Sequence, residues 1–168
     1  MGRSPDARAH GQADDRSYTI TFHRPSIVTM TKEKPIMSKA DENAEVVRRG
    51  YQAFNTGDIK ALTELFDPKA SWHTPGRSPI AGDHQGREAV FAQFGRYAGD
   101  TGGTFKAALQ QVLKSDDGRV IGMHHNSAQR NGKRLDTGCC IVFEVKDGRI
   151  VDGREHFYDL HNWDQFWS

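Results

Sequence analysis

The chain has 168 residues, 36% of them apolar, and carries 23 Lys and Arg against 22 Asp and Glu for a formal charge of +1. That suffices for one core but argues against a second domain, and the interspersed charges leave no basic field for nucleic acid and no acidic tail for basic partners. No apolar run reaches membrane-spanning length, and the N-terminus lacks the basic-then-apolar order of a secretory signal, so the expectation is a cytoplasmic protein that engages neither nucleic acid nor membrane.

Residues 1–40 mix Arg, Asp, Gly, Ser, Thr and three prolines without a sustained period, and Tyr18–Phe22 is the one strand-like piece. This composition predicts a disordered or loosely attached arm. Met37-Ser38-Lys39-Ala40 has the look of an ordinary protein start, so the arm is readable as an overlong N-terminus. From Asp41 onward, residues 41–168 read as one domain. Ala44, Val47, Tyr51 and Phe54 share one face of an amphipathic helix that stops at Asn55-Thr56-Gly57. Asp58 caps a second helix with Ile59, Leu62, Leu65 and Phe66 on a face, and Pro68 prevents its continuation. Ala70–Thr74 forms a short strand, and the Gly- and Pro-rich segment to Gly86 reads as a loop. Gly86-Arg87-Glu88 opens a third helix with Val90, Phe91, Phe94 and Tyr97 inward.

Four strands follow. Phe105, Ala107, Leu109 and Leu113 alternate on the first, and Asp116-Asp117-Gly118 turns it into a second ending at Arg130. Asn131-Gly132 is the strongest hairpin signal, because a two-residue primed turn requires positive φ at both centres. The third strand sets Leu135, Thr137, Cys139, Ile141, Phe143 and Val145 on one face, and Asp147-Gly148 returns it into a last strand carrying His156, Tyr158 and Asp159. Leu160, Trp163, Phe166 and Trp167 then collect on one helical face, predicting a terminal plug that buries at least Trp163 and Phe166 and screens His156 and Asp159. Adjacent Cys139 and Cys140 point to opposite faces of a strand, as do His124 and His125, so neither pair makes a disulfide or a metal site. Phosphate loops, dinucleotide fingerprints, zinc cages and a hydrolase elbow are absent from the sequence.

The chemistry-bearing residues are His124, Asn126, Asp136, His156, Tyr158 and Asp159, with Tyr51, Trp72 and His73 at the pocket wall. A histidine and a carboxylate within reach of each other share acid and base duties near neutral pH, which singles out His156 and Asp159. Their opposite strand parity requires a bulge or the strand's end to align them. The alternative is that His156 and Tyr158 are satisfied wall residues and Asp159 caps the last helical turn.

The motifs Trp72-His73-x-Pro75-Gly76, Gly86-Arg87-Glu88-Ala89-Val90, Gly102-Gly103-Thr104, Gly148-Arg149-Ile150, Arg154-Glu155-His156-Phe157-Tyr158-Asp159 and Phe166-Trp167 resemble the SnoaL-like branch of the NTF2-like superfamily. The resemblance runs from about Glu42 to the C-terminus. That superfamily includes polyketide cyclases, ketosteroid isomerases, limonene epoxide hydrolases and binding proteins without activity. It implies an α+β cone, three N-terminal helices on a strongly bent, mainly antiparallel sheet, with a pocket for a small hydrophobic molecule, no cofactor or metal, and a homodimer through the exposed sheet face. Asp159 is the nearest match to the acid/base Asp of SnoaL-type cyclases, with His156 as proton partner and His124 and Asn126 as donors to an oxyanion. By contrast, Thr74 stands where a ketosteroid isomerase has its base and Cys140 near that enzyme's oxyanion Asp, while His124-x-Asn126 replaces the Arg-x-Asp of the epoxide hydrolases. The two functions left open are an isomerase- or cyclase-like enzyme acting on a carbonyl-bearing metabolite and a non-catalytic ligand-binding or oligomerisation module.

Overall fold

In the computed structural model, which describes residues 37–168, the first helix begins at a reciprocal capping box. The Ser38 hydroxyl accepts from the Asp41 amide at 3.2 Å, and the Asp41 carboxylate accepts from the Ser38 amide at 3.3 Å. Two orphan donors of the first turn are thereby satisfied. The ordered domain therefore starts before Asp41, and the expected arm up to residue 36 lies outside the described residues. Helix α1 (Lys39–Thr56) buries Ala44, Val47 and Tyr51 and ends at Gly57, whose φ of +68° suits glycine. Asp58 caps α2 (Ile59–Leu65) by accepting from the Ala61 amide at 2.9 Å.

Strand β1 (Phe66–Thr74) begins earlier than expected, and Pro68 falls where its register against the last strand slips. A proline without an N–H is tolerated at such a gap in the ladder. The segment read as a loop contains a short strand, β2 (Gly82–Gln85), which pairs with Ser71–Thr74. Helix α3 (Arg87–Gly99) follows, then β3 (Lys106–Lys114), β4 (Val120–Arg130), β5 (Lys133–Lys146), β6 (Arg149–Phe157) and α4 (Leu160–Trp167). The expected block of three N-terminal helices is thus interrupted by β1 and β2. Asn131 and Gly132 have φ of +50° and +75° and join paired Arg130 and Lys133, as the primed turn requires.

The sheet runs β2-β1-β6-β5-β4-β3, and its one parallel pair, β1 with β6, makes it mixed. Bulges shift register at Gln110 in β3 and at Val151 in β6. The first turns Leu113 outward, to 38% exposure, and leaves Val112 against the core in its place. Tyr97 of α3 reveals the curvature. Its ring stacks on Phe105, just ahead of β3, at 4.9 Å, while its hydroxyl lies 3.3 Å from Thr74 Oγ1 in β1. In a flat sheet these strands would stand about 19 Å apart, four spacings of ~4.8 Å, so the sheet curls around the helices. Helix α4 plugs one side with Trp163, Phe166 and Trp167 all at 2% exposure or less, and Trp163 stacks on Phe157 at 3.8 Å. No helix among the described residues is long and apolar enough to cross a membrane.

Candidate functional site

The inward faces of the curled sheet and of α1–α3 enclose a cavity of about 50 Å³, room for a few waters at the ~10–15 Å³ each requires. Its walls are mostly rings. Trp72 meets Phe94 edge-on at 4.9 Å and Phe143 at 5.9 Å, and Tyr51 meets Phe143 at 5.9 Å. Glycines make space for two of these rings: a Cβ on Gly153 would fall 2.2 Å from the Trp72 indole, and one on Gly122 would fall 2.7 Å from the Tyr51 ring. Such close approach admits only a residue without a side chain.

Two polar stations interrupt this apolar lining. The first is Glu155 of β6, a carboxyl at 5% exposure. Thr74 donates to its Oε2 at 2.7 Å, and the Tyr97 hydroxyl donates to the same oxygen at 3.2 Å. Oε1 has only a long contact with Tyr97, at 3.4 Å, and is the freer oxygen. Burial pushes the pKa up to about 7, against the pull of hydrogen bonds from Thr74 and Tyr97 and of the Trp72 indole N–H. The second station is on β4. Burial lowers the His124 pKa to about 4, so the ring is neutral at pH 7. The Tyr51 hydroxyl lies 2.8 Å from His124 Nδ1 and 3.4 Å from the Gly122 carbonyl. If Tyr51 donates to Nδ1 the ring's own proton is on Nε2; if it donates to the Gly122 carbonyl, Nδ1 carries the proton and donates to Tyr51. Asn126, at 1% exposure, has an amide oxygen without a partner. An amide oxygen buried beside a cavity without a hydrogen-bond partner is an acceptor open to a donor on a ligand or a water, and its nearness to the His124 ring favours a proton on that ring.

Of the residues singled out from sequence, Tyr51, Trp72, His124 and Asn126 line this cavity. The other five lie outside it. His73 is on the opposite face of β1, held between Asp83 at 2.6 Å and Asp152 at 2.9 Å. Asp136 pairs outside with His125 at 2.7 Å and Arg134 at 3.4 Å. Tyr158 is 62% exposed and covers Gly138. His156 is exposed, and Asp159 accepts from the Asn162 amide at 2.9 Å as the N-cap of α4. The terminal plug buries its tryptophans without covering either residue.

The bulge at Val151 explains the exchange of His156 for Glu155. The Asp147-Gly148 turn pairs Val145 with Ile150; carried on without a bulge, that register would set His156 opposite inward-facing Cys139. With Val151 bulged, Ile141 faces Glu155 and Cys140 faces His156, so every later side chain changes face. Glu155, Thr74 and Tyr97 are the site residues that sequence reasoning missed. Glu155 stood inside the quoted motif, between Arg154 and His156, and no local signal set it apart; its apolar partner Ile141 comes from the strand pairing.

Comparison with known proteins agrees with this architecture. A protein of Mycobacterium tuberculosis without assigned function is 35% identical over 128 residues, which is 76% of this chain and 98% of that one. Bal32a, from a soil-derived mobile gene cassette, is 75% identical with a TM-score of 0.77, covering 78% of this chain and all of that one. A protein of unknown function with a cystatin-like fold from Xanthomonas campestris is 28% identical with a TM-score of 0.71, over 75% of this chain and 98% of that one. Residues 47–153 match the SnoaL-like domain, and this establishes the chain as a member of the SnoaL-like family.

Proposed function

We propose that the chain is a small-molecule pocket protein that acts as an acid/base enzyme on a hydrophobic, carbonyl-bearing ligand, with Glu155 as the proton-transfer group. The observation that carries this reading is a carboxyl buried among aromatic rings, held by two hydroxyls and facing no Lys or Arg in the cavity wall. A carboxyl with a pKa near 7 is matched to both taking and returning a proton at neutral pH. In this scheme Oε1 removes a proton from the carbon beside the ligand carbonyl. In this reading the charge that develops on the carbonyl oxygen is met by the His124 ring N–H and the Asn126 Nδ2–H, and Glu155 returns the proton at a different atom. Neutral His124 suits the donor role, since it offers a hydrogen bond without a buried charge. The Asp159–His156 pair takes no part in this scheme, because a capping carboxylate and an exposed imidazole do not share the cavity.

The test is exchange of the protons beside the carbonyl of a small aryl ketone in D2O, followed by NMR. The parent should catalyse exchange with a rate that rises through about pH 7 as Glu155 ionises, and Glu155→Gln should lose at least 100-fold. Ketone binding without exchange would support the rival, a non-catalytic binding module.

A further inference from the structure

Phe54, Leu62, Phe94 and Phe105 line the cavity and also line a second space. On their far side is a groove of about 290 Å³, open to solvent between the α1–α2 turn, α3 and the start of β3. The groove is therefore several times larger than the cavity it abuts, and only four apolar side chains separate the two. Phe54 and Phe94, both half-buried, meet edge-on at 5.3 Å and stand in the wall between the two spaces.

Gly95 supplies an independent sign. It lies inside α3, where glycine weakens a helix relative to alanine, yet its backbone has no positive φ and a Cβ there would meet nothing within 4 Å. Neither conformation nor packing calls for glycine at this position, but it lines the groove, where any side chain would take up space. Ile59, on the same rim, is 60% exposed, an apolar side chain left without cover. The groove offers little polar recognition. The Asn55 amide beside it is already committed to the Ala107 backbone, donating at 2.8 Å and accepting at 3.0 Å, and Lys106 is its one charged lining residue.

We propose that the groove is the second half of the binding site and holds the apolar tail of a ligand whose carbonyl head lies against Glu155. The substrate class is then a carbonyl compound with an extended hydrocarbon chain, too long for the cavity alone, threaded past Phe54 and Phe94. This rests on the reading of the Glu155 cavity as the ligand site. The experiment uses phenyl alkyl ketones from acetophenone to octanophenone, with affinity measured by calorimetry on the full chain. In the parent, affinity should climb roughly three- to fourfold per added methylene until the groove is filled. In Gly95→Leu, whose added side chain occupies the groove, the series should level off near the shortest ketone, and Gly95→Ala should fall between. A flat series in the parent overturns the tail subsite. A climb that survives Gly95→Leu overturns it as well and gives the groove to a second copy or another protein. Long ketones held in a Gly95-dependent way with acetophenone excluded would keep the groove and remove the head-site reading, and no binding by any ketone would remove both.

Discussion

Glu155 and His124 face one cavity, and the same burial displaces their pKa values in opposite directions, because it disfavours whichever form is charged. Glu155 rises from 4.5 to about 7. Its contribution to stability is complete below pH 4.5 and is lost as pH rises to 7, about 3 kcal/mol over that window. His124 falls from 6.5 to about 4. Its contribution is complete above pH 6.5 and is lost, by a similar amount, as pH falls to 4. Between pH 4.5 and 6.5 the two slopes oppose each other and nearly cancel. Glu155→Gln should therefore uncover the histidine slope, with stability that drops steadily below pH 6.5, and His124→Gln should uncover the reverse. Urea unfolding free energies at pH 5 and pH 7 would show this. A Glu155→Gln protein with the parent's pH profile would mean that the carboxyl is not shifted in the fold. At this scale the titratable group that faces the cavity was hidden in the sequence, since Glu155 and His156 are neighbours and only the strand register says which one turns inward.

Among the elements, α4 is short, at 8 residues, and supplies a large share of the aromatic core. Trp163 is fully buried, stacked on Phe157 at 3.8 Å and edge-on to Tyr97 at 5.8 Å. Trp163→Ala should cost about 3–5 kcal/mol, read as a lower urea midpoint with an unchanged slope. Because Tyr97 also holds the Glu155 carboxyl, the same variant should weaken ketone binding. Iodide should fail to quench the parent's tryptophan emission, since Trp72, Trp163 and Trp167 are all at 4% exposure or less. A cost under 1 kcal/mol together with free quenching would mean that the helix is not docked in solution. This element was legible in advance, because Leu160, Trp163, Phe166 and Trp167 mark a helical face by spacing alone. What it covers was not legible: the helix seals the end of the core near Tyr97 and Phe105, and leaves His156 and Asp159 in water.

On the scale of the whole molecule, α1–α3 occupy the inner face of the sheet, while its outer face carries Ile121 beside Val142 and Met123 beside Cys140, all partly exposed. The same face of a second copy would cover them, as an isologous interface does. Sedimentation equilibrium at micromolar concentration should then give twice the chain mass of 18.8 kDa, and a clean monomer would exclude the dimer. Local chemistry alone determined much of this protein. Apolar periodicity marked the four helices, Asn131-Gly132 and Asp147-Gly148 marked two hairpins through their positive φ, and the inward face of β5 followed from strict alternation. Tertiary structure decided the rest, since pairing between strands is not a property of either strand by itself. The parallel contact of β6 with β1 brings Thr74 beside Glu155, and the curl of the sheet brings Tyr97 to both. The bulges at Gln110 and Val151 change which side chains face the cavity. A single extra residue between paired strands inverts every side chain beyond it, and in β6 that inversion places a carboxylate, rather than an imidazole, inside the cavity.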